Sequence, residues 1–560
     1  MALKPSASMP KPSNILSLIF LSLTLLFLTF TFRSQKNLQL QNETQPQDTT
    51  SHLKAQKPRW YNVVKQEIES KKIKIGLVNM DDEVTTENEA LHGLADSLTT
   101  VVFDRVAENH RWEDFFPAWI DEDEKWHAPK CPDIPMPPQL GDYGELDVVV
   151  ARVPCGRGLE REGVRDVFRL QVNLVVANLV TRSGSWESHD HEIDRTVYVV
   201  FIGSCGPMWE IFRCDDLLWH EGDYWVYKPD LKRLKQKMVM PVGTCQITLP
   251  YAGPTREVWR KNVAGSIANN ILYKRKEAYV TILHSSEAYV CGAIALAQSI
   301  IQTNSTKDLV LLADDSIPAK SLQGLKAAGW KIKRIQRIRS PQAKKDAYNE
   351  WNYSKLQMWR LIEYDKLIFV DADLLVLRNM DEFFIYPQLS AVGNDKFLFN
   401  SGVMVVEPSE RTFQTLMKNR FAVDSYNGGD QGFLNEMFTW WHRLPSRLNR
   451  LKIFLSRVQN TEHEVPNDVY AIHYLGLKPW MCYKDYDCNW DMFDHQHFAS
   501  DSAHRRWWQV YEAMPRKLRQ YCALTKRMNA RIQKWRERAK NARLSDGHWK
   551  IKVQDPRQHC

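Results

Sequence analysis

The sequence lacks the cysteine patterns that are typical of metal-binding and redox modules. Its 560 residues include ten cysteines, but no C-x-x-C pair and no zinc-finger spacing. This excludes a zinc ribbon and a thioredoxin-like redox site. Cys291 lies in an apolar helical pattern and is predicted to be a free thiol in the core. Cys205 and Cys214 flank a short segment and are a candidate disulfide pair, while the other pairings stay open.

Acidic residues are almost missing from residues 516–543. Glu537 is the only acid there, and lysine and arginine alternate with apolar residues. The pattern predicts a basic helical region over residues 496–560. Such a region either contacts an anionic polymer or a membrane face, or presents a solvated helical face without a partner.

The amino end lacks a cleavage site. Residues 15–32 form an uncharged apolar run of about eighteen residues, which is long enough to cross a bilayer as a helix. No small-x-small sequence follows the run, so a signal anchor is predicted rather than a cleaved signal peptide. This divides the amino end into a cytosolic tail (1–14), a transmembrane anchor (15–32) and a flexible stem (33–58). The remainder is then expected in the secretory lumen.

The rest of the chain has the composition of ordinary globular protein, with 44% apolar and 25% charged residues. Its length exceeds what one core can organise, so more than one domain is expected. Within residues 59–272, predicted strands at 73–78, 146–153 and 196–203 alternate with helical patterns such as 167–180. This order predicts an α/β domain. No motif of recognisable chemistry stands out in it, and its role stays unknown.

A second α/β pattern occupies residues 273–495. Its order of strands and helices predicts an open, mostly parallel sheet, with ligands beyond the carboxyl ends of the strands. Ser285, Ser286 and Asp371 fall at such ends. The predicted strands are 278–283, 309–313, 331–335 and 367–370, and the predicted helices are 288–301, 319–328 and 354–364.

Asp371 and Asp373 are the centre of this second domain. The apolar runs 367–370 and 374–377 enclose them. Burial of two carboxylates is costly unless a cation or hydrogen-bond donors neutralise them. Residues i and i+2 of an extended segment lie on one side, so both acids can face a single ion. A surface acid pair at a strand end is the alternative interpretation of the pattern taken alone.

Three motifs further along have a use around a metal-bound diphosphate. They are FNSGV (399–403), NGGDQG (427–432) and HYLGLKPW (473–480). Two carboxylates and one imidazole can hold a divalent ion, and mixed oxygen and nitrogen ligation suits manganese, with magnesium as the alternative. A glycine lets the backbone approach a diphosphate, a lysine adds a point charge, and side-chain amides hold sugar hydroxyls.

Together and in this order, the four motifs resemble those of glycosyltransferase family eight, the GT-A-type retaining transferases that include glycogenin. The long amino-terminal part and the segment 482–490 resemble the plant glycogenin-like subgroup of xylan α-glucuronosyltransferases. The resemblance implies an α/β fold. The expected architecture is a GT-A-type, Rossmann-like nucleotide-sugar transferase domain, preceded by a second α/β domain and an N-terminal transmembrane helix.

The resemblance also implies a role for each residue of the site. Asp371, Asp373 and His473 are the expected manganese ligands, and Asp430 and Lys355 the expected catalytic residues. Asp430 either stabilises positive charge at the anomeric carbon or forms a short-lived covalent bond to that carbon. The expected donor-binding residues are Leu283, Ser285, Ser286 and Tyr289 (uridine and ribose), Ala372 (ribose), Lys355, Gly476 and Lys478 (diphosphate), Asn400, Ser401, Asp430 and Gln431 (sugar), and the three metal ligands.

Two departures from glycogenin bear on the substrates. Asn427 stands where glycogenin has an acid, which removes a negative charge near the donor and suits a donor that carries its own carboxylate. Residues 447–459 contain no tyrosine at the place where glycogenin glucosylates itself, so a separate acceptor is expected. Arg339 is a candidate partner for the carboxylate of the donor.

The expected function is retaining transfer of glucuronic acid from UDP-glucuronate to the xylan backbone, forming the α-1,2 linkage that the resemblance implies, in plant cell-wall synthesis. The alternatives are a same-family transferase that uses UDP-glucose, UDP-galactose or UDP-galacturonate, and a non-catalytic Golgi scaffold. The expected location is the Golgi membrane, as a single-pass type II protein with a lumenal catalytic domain. A homo-oligomer, or a hetero-oligomer with other wall-synthesis enzymes, is compatible with this, whereas nucleic-acid binding conflicts with the lumenal topology.

Overall fold

The computed structural model of the protein describes residues 58–68, 73–80, 97–117, 132–155, 165–188, 191–238, 240, 242–245, 275–454, 463–555 and 557. The predicted cytosolic tail and anchor, and all of the predicted stem but its last residue, lie outside these residues. Among the helices of the described part, none combines the length and the apolar character that a membrane crossing requires.

Apolar, β-branched runs of the first half form a six-stranded sheet. Its strand order is β2-β1-β3-β6-β8-β7, in which β2, β1, β3 and β6 are parallel and β8 runs antiparallel to both of its neighbours, β6 and β7. β4 and β5 pair as a separate hairpin. The strands of this half are β1 (Lys74–Val78), β2 (Ser97–Val101), β3 (Val148–Arg152), β4 (Ser185–Ser188), β5 (His191–Asp194), β6 (Tyr198–Ile202), β7 (Leu217–Glu221) and β8 (Tyr224–Tyr227).

The helices of the first half are α1 (Arg59–Glu67), α2 (Val167–Ser183) and α3 (Leu231–Met238). The side chain of Asp166 caps α2 by accepting a hydrogen bond from the amide of Arg169. α2 is buried along most of its length. Its apolar side chains share one core with Phe433 and Trp440 of the second half. The predicted alternation of strands and helices is therefore confirmed.

The second half contains a seven-stranded sheet, in the order β11-β10-β9-β12-β15-β14-β16. Its first four strands are parallel, as predicted, while β15 runs antiparallel to both β12 and β14. β13, β18 and β17 form a small sheet beside it. The strands are β9 (Glu277–Leu283), β10 (Asp308–Ala313), β11 (Lys331–Arg334), β12 (Lys366–Val370), β13 (Leu374–Val376), β14 (Ser390–Gly393), β15 (Phe399–Val406), β16 (His442–Leu444), β17 (Arg450–Leu451) and β18 (Ala471–His473).

The α-helices of this half are α4 (Val290–Gln302), α5 (Ala319–Ala327), α6 (Glu410–Asn419), α7 (Asp430–Met437), α8 (Asp501–Ala513), α9 (Arg516–Arg519) and α10 (Lys526–Asn541). Short 3₁₀ helices connect many of the elements in both halves. They are Trp112–Phe115, Leu140–Tyr143, Cys214–Asp216, Glu287–Tyr289, Asn352–Arg360, Asp381–Ile385, Ser446–Leu448, Pro479–Met481, Cys488–Asp491, Phe493–Phe498, Gln520–Cys522 and His548–Lys550.

The helix predicted at 354–364 is a 3₁₀ helix, Asn352–Arg360. Its side chains from Tyr353 to Trp359 are all buried. Ser354 Oγ accepts from the amide of Ile338, and the indole of Trp359 donates to Gln388. These tertiary contacts outweigh the intrinsic preference for a regular α-helix.

The two halves are joined by buried polar contacts, and the chain from Lys57 onward forms one compact unit. Arg213 Nη1 lies 2.5 Å from Glu407 Oε2, with both side chains buried. Ser409 Oγ donates to Asp215 Oδ1 at 2.6 Å. Removing one partner of such a buried ion pair is strongly destabilising, because the other charge is left buried and unpaired. The pair therefore holds the first half against the second.

Three disulfide bonds are present among the described residues, and they correct two predictions. Cys291 is bonded to Cys522 and is not a free thiol, because the segment after α9 packs against α4 and brings Cys522 to it. Cys205 is bonded to Cys155 and not to Cys214, since β3 and β6 are neighbours in the first sheet. The third bond joins Cys482 to Cys488.

The basic carboxyl-terminal region is helical, as predicted. Ile532 and Ala539 of α10 are buried, and Ile532 shares a core with the Cys482–Cys488 loop. The opposite side of α10 is exposed and carries lysine and arginine side chains such as Lys534 and Arg538. The tail is therefore a packed part of the second half with one basic face.

Candidate active site

β12 lies in the middle of the second sheet and brings Asp371 and Asp373 to its carboxyl edge. The backbone turns directly after the strand, since the amide of Asp371 donates to Gly402 O at 2.9 Å and that of Leu374 to Asp371 O at 3.0 Å. Both acids join His473 in one cluster, in which a ligand atom from each residue lies within 4.8 Å of the others. The structure thus places the three predicted metal ligands together.

His473 is held in the tautomer that a metal ligand requires. It ends β18 and pairs with Leu374 of β13, directly after Asp373. Its Nδ1 lies 3.0 Å from Asn449 Oδ1. Because an amide oxygen only accepts, Nδ1 carries the proton in the neutral ring and Nε2 keeps a lone pair. Nε2 is 3.3 Å from Asp373 Oδ1. Two acceptors at this distance need a cation or a proton between them, so the donor set fits a divalent cation with mixed ligands.

A relay of side-chain amides fixes Asn449 in turn. Asn449 Nδ2 donates to Asn400 Oδ1 at 2.8 Å, and Asn400 Nδ2 donates to Asn394 Oδ1 at 3.3 Å. The amide of Gly402 also donates to Asn400 Oδ1, at 2.9 Å. Asn400, predicted to hold the donor sugar, therefore uses both amide atoms within the protein and orients His473 through Asn449.

Gly402 is packed so tightly against this relay that only glycine fits. An added Cβ would lie 2.7 Å from His473 Cε1 and 2.8 Å from Asn400 Oδ1. We expect Gly402→Ala to displace the imidazole and to weaken the binding of a divalent cation at this cluster by roughly 10- to 100-fold, the range typical of a metal ligand that loses its support. Isothermal titration with Mn²⁺ measures this. Gly141→Ala is the matched control, because a Cβ there meets nothing within 4 Å; equal affinities in the two variants would contradict the assignment.

Lys355 lies between the acidic motif and α7. Its Nζ is 3.1 Å from Asp371 Oδ1 and 2.7 Å from Asp430 Oδ2, and it donates to Ser401 O and Oγ, both at 3.2 Å. Burial alone would lower the pKa of this amine, but the carboxylates of Asp371 and Asp430 outweigh burial and raise its pKa. Lys355 is therefore a fixed positive charge in the site.

Asp430 begins α7 directly after the Gly428-Gly429 turn and is buried. Its Oδ2 accepts from Ser401 Oγ at 2.8 Å as well as from Lys355. Within the described part of the chain, its Oδ1 has no hydrogen-bond partner. This second oxygen is the atom with which Asp430 can face a ligand.

Lys478 supplies the second cation of the site. Its Nζ lies 2.8 Å from Asp373 Oδ2, and it also donates to the carbonyl oxygen of Tyr474. Burial would raise the pKa of Asp373, but the charge of Lys478 outweighs burial and holds that pKa well below its usual range. The pKa of Asp371 is raised, chiefly by burial. The two carboxylates of the motif thus differ in the cations that neutralise them.

Gly476 turns the loop that leads from His473 to Lys478. Its φ of +72° lies in the left-handed region, and an added Cβ would meet Asn489 Oδ1 at 2.5 Å. Asn489 clamps the next residue by accepting from Leu477 N at 2.8 Å and donating to Leu477 O at 3.0 Å. The turn that directs Lys478 towards Asp373 is therefore rigid.

The residues predicted to hold uridine lie at the carboxyl end of β9. Leu283 is the last residue of that strand and is buried. Ser286 Oγ accepts from the amide of Ala288 at 3.1 Å and caps the following 3₁₀ helix. The ring of Tyr289 lies 5.9 Å from Lys478 Nζ. This end of the site therefore adjoins the turn that carries Lys478.

Ser285 and Ala372 are placed by backbone geometry. Ser285 has a φ of +66°, and its Oγ lies 3.0 Å from His284 Nδ1. The carbonyl oxygen of Ala372 lies against the first turn of α4, where an added Cβ on Gly292 would meet it at 2.5 Å. This close approach brings the end of β9 and the acidic motif together.

Gln431 connects the remaining donor residues. Its Oε1 accepts from the amide of Ser401 at 3.2 Å, and its Nε2 donates to Tyr426 Oη at 2.6 Å. Asn427 Oδ1 accepts from the amides of Gly429 at 2.9 Å and Gly432 at 3.2 Å, and so fixes the turn before Asp430. An aspartate at 427 could accept the same two hydrogen bonds, so the turn does not require a neutral residue there.

Arg339 already has a carboxylate partner in this structure. Its Nε lies 2.8 Å from Glu350 Oε1. The neighbouring Arg337 is also engaged: its guanidinium lies 4.0 Å from the centre of the Trp351 ring, and its Nε lies 3.8 Å from Asp314 Oδ2.

The first half of the chain holds the far end of α7. Trp209 Nε1 donates to Met437 O at 3.1 Å, and its ring stacks on Phe438 with 4.6 Å between the ring centres. Glu210 Oε1 accepts from Thr439 N at 3.1 Å and from Trp440 N at 3.3 Å. The helix that begins with Asp430 is thus anchored by a part of the sequence in which no motif was found.

Comparison with known proteins places the chain in a family. Residues 280–387 match the family model described as glycosyl transferase family 8, and residues 48–245 match the GUX1-5 N-terminal domain. The chain is 49% identical over 498 residues to UDP-glucuronate:xylan alpha-glucuronosyltransferase 2 of Arabidopsis thaliana, covering 87% of this chain and 81% of that protein. The chain belongs to glycosyltransferase family 8.

Two further relatives show how the similarity is distributed. UDP-glucuronate:xylan alpha-glucuronosyltransferase 1 of Arabidopsis thaliana is 45% identical over 502 residues, covering 86% of this chain and 72% of that protein. Glycogenin-1 of Caenorhabditis elegans is 31% identical over 219 residues, covering 36% of this chain and 51% of that protein. Both halves of the chain are therefore shared with the first relative, whereas the second shares a shorter part of it.

Sequence reasoning missed three residues of this family 8 site. Asn449 orients His473, but it lies between motifs and no local pattern indicates it. Gly402 belongs to the FNSGV motif, yet its need for a missing Cβ becomes visible only when His473 is placed beside it. Tyr426 directly precedes the NGGDQG motif, and its link to Gln431 depends on the turn.

Proposed function

We propose that the protein transfers glucuronic acid from UDP-glucuronate to the xylan backbone with retention of configuration, forming an α-1,2 linkage. The observation that carries this is 49% identity across both halves to a protein named UDP-glucuronate:xylan alpha-glucuronosyltransferase 2; retention and the α-1,2 linkage are what the family resemblance implies. The intact site supports it: acidic motif, histidine, two lysines and the Asp430 turn meet at one edge of the sheet.

We further propose that Asp371, Asp373 and His473 hold Mn²⁺. When bound, the ion supplies positive charge against the diphosphate of the donor. The donor atoms fit a cation with mixed ligands, since His473 Nε2 and Asp373 Oδ1 face each other at 3.3 Å. Lys478 is the natural diphosphate contact, because its amine reaches the same carboxylate from the rigid turn at Gly476.

Lys355 and Ser401 position the charge that faces the sugar. Both engage Asp430 Oδ2, which leaves Oδ1 available to face the donor. A fixed negative charge there stabilises positive charge as it develops at the anomeric carbon. Because these groups are buried and pre-oriented, little reorganisation accompanies the reaction.

Asn427 supports a donor that carries a carboxylate. It is neutral, and its hydrogen bonds to Gly429 and Gly432 are ones that aspartate could also make. An acid at this place would add a second negative charge beside Asp430 and would repel the glucuronate carboxylate.

The decisive assay compares turnover of UDP-glucuronate, UDP-glucose, UDP-galactose and UDP-galacturonate, with xylohexaose as acceptor. We expect UDP-glucuronate to have the highest kcat/KM. Asn427→Asp preserves the turn and should lower that value roughly tenfold, as expected for like charges about 10 Å apart at an effective dielectric constant near 20, while UDP-glucose is affected less. Turnover of UDP-glucose but not of UDP-glucuronate by the wild type would end the proposal. Absence of any turnover would favour a non-catalytic scaffold.

We propose that the protein is a single-pass type II protein of the Golgi membrane, anchored by the apolar run at residues 15–32. A fluorescent protein joined after residue 58 tests this. Its failure to colocalise with a Golgi marker would exclude the location.

A further inference from the structure

Tyr426 presents an exposed aromatic ring at the edge of the site. The residue is 54% exposed, and its Oη accepts a hydrogen bond from Gln431 Nε2 at 2.6 Å. Gln431 in turn binds the amide of Ser401 through its other amide atom. The phenol is therefore tied to the donor-sugar residues while the ring remains open to solvent.

The backbone on both sides of Tyr426 is pinned. Ser425 Oγ donates to Gly429 O at 2.7 Å, and the amide of Ser425 donates to Gln342 Oε1. On the other side, Asn427 holds the turn that leads into α7. A ring held in place before binding loses little conformational entropy when a ligand packs on it.

Two carboxylates lie near the phenol. Burial raises the pKa of Tyr426, the Gln431 hydrogen bond opposes this, and the charges of Asp395 and Asp430 raise it further. Asp395 belongs to the loop between β14 and β15, whereas Asp430 begins α7. The phenol of Tyr426 is therefore a neutral hydroxyl at physiological pH.

We propose that Tyr426 forms an acceptor subsite, in which its ring stacks on the apolar C–H face of a pyranose unit of a neutral polysaccharide. This rests on the proposed transfer to xylan. Tyrosine combines an apolar body with a polar tip, which suits a sugar ring. Gln431 lies between Tyr426 and Ser401, so the acceptor lies on the solvent side of the donor sugar, across Gln431 from the groups that hold it.

The test compares Tyr426→Ala, Tyr426→Phe and the wild type. Transfer to xylohexaose and hydrolysis of the donor in its absence are measured on the full chain. We expect Tyr426→Ala to raise the KM for xylohexaose about tenfold, the loss expected for one aromatic contact, and to lower the ratio of transfer to hydrolysis in proportion. Tyr426→Phe keeps the ring and should restore the ratio. Phe421→Ala, an exposed aromatic residue at 70% exposure, is the matched control.

Binding of xylohexaose in the absence of a donor, measured by titration calorimetry, tests this proposal independently of the identity of the donor. Weaker binding by Tyr426→Ala than by Tyr426→Phe supports the subsite even if UDP-glucuronate is not the substrate. Equal binding by both variants, or no binding by the wild type, overturns it. An equal fall of hydrolysis and transfer with an unchanged acceptor KM would also overturn it, because Tyr426 would then act on the donor through Gln431.

Discussion

Replacing Asp373 by asparagine is expected to abolish transfer, with a loss on the order of a thousandfold or more, in a protein that still folds. The carboxylate of Asp373 faces His473 with one oxygen and Lys478 with the other. Asparagine keeps the shape but removes the charge, and it turns one acceptor into a donor that points at Lys478 or His473. The site then loses the negatively charged ligand that Asp373 would offer to a bound metal ion.

Two measurements check the Asp373→Asn prediction. Isothermal titration should show Mn²⁺ affinity reduced at least about 100-fold, and the release of UDP reports the rate. Asp315→Asn is the matched control, since the side chain of Asp315 is 95% exposed and pairs with Arg334 at the surface. An Asp373→Asn protein that binds Mn²⁺ as tightly as the control would show that this carboxylate is not a ligand.

Replacing Lys355 by methionine is expected to lower the free energy of unfolding and to stop transfer. The amine is buried between Asp371 and Asp430, so its loss leaves the buried carboxylate of Asp430 and the partly exposed one of Asp371 without their shared cation. Removal of one partner of a buried ion pair typically costs about 3–5 kcal/mol. Urea denaturation measures the change in the free energy of unfolding, and the release of UDP measures the rate.

The double variant Lys355→Met/Asp430→Asn separates the two effects. With the charge of Asp430 also removed, only Asp371 remains unpaired, and part of the lost stability should return. Transfer should stay absent, because no negative charge faces the anomeric carbon. If Lys355→Met alone is as stable as the wild type, the amine does not neutralise these carboxylates.

Local patterns were sufficient to predict the part of the fold that carries the acidic motif. The apolar, β-branched run of β12 ends at Asp371, and the strands and helices before it alternate at regular spacing. Such signals are short in sequence, and the carboxyl ends of parallel strands meet at one edge. The cluster of Asp371, Asp373 and His473 followed from motif chemistry and from the resemblance together.

Contacts between distant segments could not be predicted from the sequence. The role of Asn449 depends on the side-chain amides of Asn400 and Asn394 and on Gly402, none adjacent to it in the chain. Cys291 was predicted to be a free thiol because its helix is apolar, and the same environment equally suits a buried disulfide bond. The partner, Cys522, follows only when the basic tail packs back on the second sheet. Anchoring of α7 by Trp209 and Glu210 likewise joins segments more than two hundred residues apart.

The bond between Cys291 and Cys522 makes the polypeptide around the site a closed covalent ring. The two cysteines are separated by 231 residues, and Asp371, Asp373, Asp430 and His473 all lie between them. A single hydrolytic break within that ring leaves both pieces tied together until a reductant opens the disulfide. Proteolytic nicking therefore does not separate the two carboxylates of the motif from His473.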